Sequence, residues 1–174
     1  MQKVGAIYTI GHSNQSLDSF VSLLRQISID VIVDTRSYPV SKYNLHFCMD
    51  ALKPALIKDG FKYLFLGDAL GGKPRGSQFY DEDGKVLFDV VKESVPFRTG
   101  LGRVITGWEK GFRIALLCGE ENPSSCHRRL LLAHTLEQSH DIPVAHIRQG
   151  ARIDMEADLQ FAEKPDVEQL SLFS

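Results

Sequence analysis

The sequence lacks any apolar run approaching the roughly 20 residues needed to span a bilayer. It also lacks the layout of a secretory signal, because Met1–Ile10 reads as a first strand. Cysteine is scarce: the count of 3 is odd and its spacing suggests no disulfide framework. A reducing cytoplasm is therefore the expected location. Basic charge is not in excess, with 20 Lys and Arg against 22 Asp and Glu. That balance permits contact with nucleic acid without requiring it. There is no internal repeat.

The charge is unevenly spread. Residues 1–153 carry a small positive excess, whereas 154–174 hold a single lysine, Lys164, among six acids. One body over 1–153 and an acidic tail over 154–174 are expected. The length of 174 residues suits a single domain with a real core.

Short apolar runs alternate with helical patterns along the body. Val4–Ile10, Val31–Val33, Tyr63–Leu66, Arg113–Leu117 and Pro143–Ile147 read as strands. Ser16 opens a helix whose Leu17, Phe20, Val21, Leu24 and Ile27 share one face. Further helices are expected over Phe47–Asp59, where Pro54 should start a turn or a kink, over Thr99–Lys110, and from the Cys126 region through Leu136. Gly67–Gly84 is expected to be a long loop, and Asp154–Phe161 can form a docked terminal helix. The alternation predicts an α/β domain with a mainly parallel sheet and helices on both faces.

In such a sheet, ligands bind beyond the carboxyl ends of the strands. Those ends lead into Gly11-His12-Ser13-Asn14, Asp34-Thr35-Arg36 and Cys118-Gly119-Glu120, with Cys126-His127-Arg128 starting the next helix. His12, with an ordinary pKa near neutrality, suits a general base or a donor to a ligand, or else it caps a turn. Asp34 and Arg36 can orient an anion or pair with each other. Cys118 is either a nucleophile or a small buried residue, and Glu120 is a candidate acid or base. Exposed N–H groups at a helix start favour an anion, so Cys126, His127 and Arg128 suit phosphate, unless they brace the loop. Cys118, Cys126, His127 and His12 are the residue types that hold metals. However, Cys118 and Cys126 are separated by seven residues and His127 follows directly, which is no zinc-finger spacing, so neither metal nor cofactor is expected. Phe79 and Tyr80 could stack on a base or sugar.

The strings TIGHSN, VDTR with Pro39, Leu70-Gly71-Gly72, His146-Ile147 and the Cys118–Arg128 segment resemble the domain of unknown function 488 family across roughly residues 5–150. That resemblance implies a compact α/β fold with a shared polar site, of the Rossmann-like or rhodanese-like three-layer kind, and no established reaction. The Asp34-Thr35-Arg36 strand end also resembles rhodanese-like domains. Loops of that type place an arginine six residues after the nucleophile, where Ser124 stands after Cys118.

The last residues, Gln169-Leu170-Ser171-Leu172-Phe173, resemble the pentapeptide by which bacterial DNA polymerases and repair proteins bind the sliding clamp. Leu172 and Phe173 would anchor in an apolar pocket while Gln169 supplies amide hydrogen bonds. The leading expectation is an enzyme acting on nucleic acid or nucleotides in DNA repair or replication, recruited by this tail. A non-catalytic nucleic-acid or protein-binding adaptor and a thiol or sulfur-transfer enzyme using Cys118 are the alternatives.

Overall fold

Strands buried on both faces need uncharged, apolar runs, and four- or five-residue runs of that kind form the centre of this sheet. The computed structural model describes residues 5–163. In chain order the elements are β1 (Ile7–Gly11), α1 (Leu17–Gln26), β2 (Val31–Asp34), α2 (Met49–Lys58), β3 (Lys62–Phe65), α3 (Gly67–Leu70), α4 (Phe88–Val91) and α5 (Val95–Glu109). There follow β4 (Ile114–Cys118), a π-helical turn (Arg128–Ala133) running directly into α6 (His134–His140), β5 (Val144–Ile147), β6 (Ile153–Met155) and α7 (Glu156–Glu163).

The sheet order is β3-β2-β4-β1-β5-β6, parallel except for β6, which runs antiparallel to β5. All five residues of β4 are buried. On one face Phe20, Leu24, Leu52 and Leu56 of α1 and α2 cover Ile10, Ile32, Ala115 and Leu117. On the other, Phe97 and Leu101 of α5 and Leu131, Leu132 and Leu136 of the π-helical turn and α6 cover Ile7, Val33, Leu116 and Val144. Each fully buried side chain of this size contributes about 1.5–3 kcal/mol. The result is the expected three-layer α/β domain.

Local chemistry sets the helix starts. The Ser16 hydroxyl accepts the Ser19 N–H at 3.1 Å, which fixes the start of α1. Ser94 likewise caps α5, and Pro96 fits its first turn, so this helix begins ahead of the expected Thr99. Pro54 faces solvent and α2 runs through it. The Gly67–Gly84 segment is more ordered than a plain loop: it contains α3 and a 3-10 turn at Ser77–Phe79. The three residues of β6 were too few to read as a strand, yet they pair with β5 and lead Glu156 into the interior, where it is 1% exposed. No helix among the described residues is long and apolar enough to cross a membrane.

The topology decides where a site can form. The chain leaves β1 and β2 toward the α1/α2 face but leaves β4, which lies between them, toward the opposite face. A crevice therefore opens beyond the carboxyl end of β4, where the strand connections diverge.

Candidate functional site

Beyond β4 lies an open cleft of about 660 Å³. Its wall brings together His12, Ser13, Asn14 and Arg36 from the ends of β1 and β2 with Cys118, Glu120, Cys126 and His127. The convergence expected from the strand ends is thus present for these eight residues. Asp34 and Arg128 lie buried behind the cleft wall. Gln169–Phe173 lie outside the described residues.

The ends of β1 and β4 are locked together: the His12 N–H donates to Cys118 O at 3.0 Å and the Ser13 N–H to Gly119 O at 2.9 Å. Gly11 makes the approach feasible, because a Cβ there would fall 1.6 Å from Glu120 O. Ser13 adopts a left-handed backbone, with φ at 50°, directly after His12. Its carbonyl accepts the His12 Nδ1–H at 2.7 Å. Nε2 is then the ring's lone-pair nitrogen, and it faces the Gly119 backbone. The ring stacks on Phe47 with centroids 4.4 Å apart. Burial is the main reason that the His12 pKa falls to about 4, so the imidazole is neutral at neutral pH.

Asp34 and Arg36 face each other. Arg36 Nε and Nη2 donate to the two carboxylate oxygens of Asp34 at 2.9 and 2.6 Å, and Tyr63 O–H adds a third bond at 2.6 Å. Arg36 Nη1 donates to Phe47 O at 2.7 Å. Burial opposes the guanidinium charge, but the Asp34 bonds outweigh it and raise the Arg36 pKa. The planar fork is spent on this pair, which ties the β2 end to the segment before α2.

The two sulfurs of Cys118 and Cys126 stand 3.1 Å apart, both as free cysteines. Cys126 has an extended backbone, and His127 after it is already helical, so the sulfur sits at the N-terminus of a continuous helical stretch ending at His140. Hydrogen bonding from the Cys118 S–H is the first cause that lowers the Cys126 pKa, and contacts with His127 and the Arg128 N–H act in the same direction. The bond to Cys126 and then burial raise Cys118. The pair is thus pushed apart, Cys126 toward the thiolate and Cys118 toward the thiol that donates to it.

His127 completes this arrangement. Thr35 O–H donates to Leu117 O at 2.8 Å, which leaves Thr35 oxygens free to accept from His127. His127 Nε2–H donates to Thr35 O at 3.2 Å, and Nδ1 lies 3.7 Å from Cys126 Sγ. Gly72 packs against the far side of the ring: a Cβ there would meet His127 Cγ at 2.9 Å. The Arg128 side chain, whose charge acts on Cys118, is fully buried, donates Nη2–H to Glu121 O, and leaves Nε and Nη1 without partners among the described residues.

The remaining expected residues divide clearly. Glu120 is exposed on the cleft wall, and its backbone oxygen lies 3.5 Å from Cys118 Sγ. Its neighbour Glu121 forms a bidentate pair with Arg148, at 2.8 and 2.9 Å, which braces the β5 end. His146 lies outside the cleft, wholly buried between Thr9 Oγ1 at 2.7 Å and Glu156 Oε2 at 2.8 Å. Among the described residues no group of three or more His, Cys, Asp or Glu is placed to hold a metal ion. Phe79 packs against the core as a half-buried ring, and the half-buried Tyr80 donates its O–H to Pro74 O at 2.8 Å. The most exposed aromatics among the described residues are Tyr38 and Tyr43, 60% and 86% exposed, in the segment between β2 and α2. Lys73 from the glycine-rich segment also reaches the cleft. Pro39 and the polar run around it were the signal for an irregular, outward-facing segment.

A family model described as "Domain of unknown function DUF488" matches residues 16–135. The chain belongs to this family. The match takes in Asp34, Arg36, Gly72 and the whole Cys118–Arg128 segment, but stops short of His12 and His146. The shared family region therefore contains both sulfurs, His127 and the glycine that packs against it. No curated protein and no solved structure matches the chain.

Proposed function

We propose that this family member is a thiol-dependent enzyme in which the Cys126 thiolate attacks the substrate and carries a transferred group. The carrying observation is the position of Cys126: a helix start, with Cys118 Sγ at 3.1 Å and His127 Nδ1 at 3.7 Å. A thiolate is the nucleophilic form of cysteine, and a neighbouring imidazole takes up its proton. Neutral His12, which lines the same cleft and keeps a lone pair on Nε2, supplies a base for a second proton transfer. The reading moves the nucleophile from Cys118 to Cys126 within the thiol or sulfur-transfer class.

Alkylation with iodoacetamide at about pH 6, where an ordinary thiol of pKa about 8.5 is almost wholly protonated, tests the assignment. Peptide mass mapping should find Cys126 modified ahead of Cys48 and Cys118. Cys48 modified first, with Cys126 inert, would reject it.

For the substrate class we propose a nucleic acid or nucleotide, in DNA repair or replication. Exposed Tyr38 and Tyr43 beside the cleft, with Lys42 Nζ 5.5 Å from the Tyr43 ring centre, favour this reading, as does the clamp-like Gln169–Phe173 peptide. Base stacking on an aromatic ring contributes about 1–3 kcal/mol per base. Binding of a single-stranded oligonucleotide should weaken at least several-fold in a Tyr38→Ala/Tyr43→Ala variant, and unchanged binding removes this substrate class. Retention of a bacterial sliding clamp should need Gln169, Leu172 and Phe173. A non-catalytic adaptor would bind the same oligonucleotide with Cys126→Ser and show no turnover in either form.

A further inference from the structure

We infer that Cys118 is a resolving thiol, so that the Cys118–Cys126 pair carries out thiol–disulfide exchange with low-molecular-weight disulfides. This inference rests on the assignment of Cys126 as nucleophile. The geometry points to it because the two sulfurs, 3.1 Å apart, are about 1 Å beyond the ~2.05 Å of a disulfide bond. They come from different elements, the end of β4 and the start of the helical stretch that ends at His140, and nothing lies between them. Both line the cleft, Cys126 at 6% exposed and Cys118 more deeply set at 1%.

The chemistry balances in two steps. The Cys126 thiolate attacks one sulfur of a disulfide RSSR, forming Cys126–S–S–R and releasing RS⁻. The Cys118 thiol then loses its proton to the departing RS⁻ as its sulfur attacks Cys126 Sγ, forming the internal disulfide and releasing RSH. Two protein thiols are oxidised and one external disulfide is reduced to two thiols.

The surroundings explain why the second step follows the first. The bond to the Cys126 sulfur is the largest cause that holds Cys118 as a thiol. Once Cys126 is capped by R its negative charge is gone, and that restraint goes with it. The buried Arg128 charge, with Nε and Nη1 unpartnered among the described residues, then favours the thiolate at Cys118. Arg128 is a positioning residue for charge and touches no substrate.

The test uses the full chain carrying Cys48→Ser, which leaves only the two thiols of interest, with oxidised glutathione as the probe. Intact mass should show the loss of two hydrogens and no lasting glutathione adduct, with two glutathione thiols released per chain. Adding Cys118→Ser should instead trap one glutathione on Cys126, and Cys126→Ser should give neither product. A lasting adduct on the chain that keeps both cysteines would overturn the resolving role while leaving Cys126 as the nucleophile. Absence of any adduct or disulfide in every form would overturn both assignments. The Cys48→Ser chain alone decides the inference if either further variant fails to fold.

Discussion

Cys48 and Cys126 occupy the same position in two different helices. Each has an extended backbone and stands directly before the first helical residue, Cys48 ahead of α2 and Cys126 ahead of the stretch that ends at His140. Each also has a histidine close in sequence. Cys48 is wired into a local turn: the Ser41 N–H donates to its sulfur at 3.2 Å, and the sulfur points back to Ser41 O at 3.4 Å. His46 faces away from it, toward Gln15 O at 3.0 Å. Cys126 has instead a second thiol from β4 and a ring held in place by Thr35 and Gly72. A helix start alone is thus insufficient; residues from β2, β4 and the glycine-rich segment make one sulfur different from the other.

The comparison breaks most completely by removing a sulfur. Cys126→Ser should eliminate cysteine labelling at about pH 6, whereas Cys48→Ser should leave it unchanged. Equal losses in the two variants would mean that the helix starts are equivalent. Cys118→Ala should come next in size. Hydrogen bonds to a charged group contribute about 1.5–3 kcal/mol, so the low-pH labelling rate at Cys126 should drop about 10- to 100-fold. The labelling rate of Cys48 in the same sample should not change.

His12 sharpens the comparison through stability. Its native pKa of about 4 lies below the ordinary 6.5, so the unfolded chain takes up a proton first as pH falls. The stability due to keeping this ring neutral is complete above about pH 6.5 and is lost between there and about pH 4, at up to about 1.4 kcal/mol per pH unit. Urea unfolding at several pH values should show this slope in the native chain and a flatter one in His12→Gln. The smallest effect is expected from Gly72→Ala, whose new methyl would press on the His127 ring. The Cys126 labelling rate should fall by less than it does in Cys118→Ala, with no change at Cys48.

Much of the architecture was legible because the strands are mainly apolar and the segments that follow them are polar. The three-layer sheet and the gathering of His12, Glu120 and His127 at one crevice followed from that pattern and the strand-end rule. The division of labour between Cys118 and Cys126 did not. It depends on the Gly119–Ser125 loop folding back so that two sulfurs eight positions apart meet, a distance that spacing alone leaves open. The burial of Arg36 against Asp34 was one of two readings, and geometry chose it. Phe79 and Tyr80 drew attention because glycine-rich loops often carry function. Phe79 packs on the core and Tyr80 is half-buried beside its bridge to Val86, whereas Tyr38 and Tyr43 stand further out. The role of Leu70-Gly71-Gly72 also lay beyond the pattern, since the ring that Gly72 meets is more than fifty positions away.

The most direct measurement is the thiolate absorbance of the Cys48→Ser chain followed across pH. The two remaining thiols should titrate apart, one well below the ordinary value of about 8.5 and the other above it, with the lower step lost in Cys126→Ser. A single joint step near the ordinary value would contradict the account.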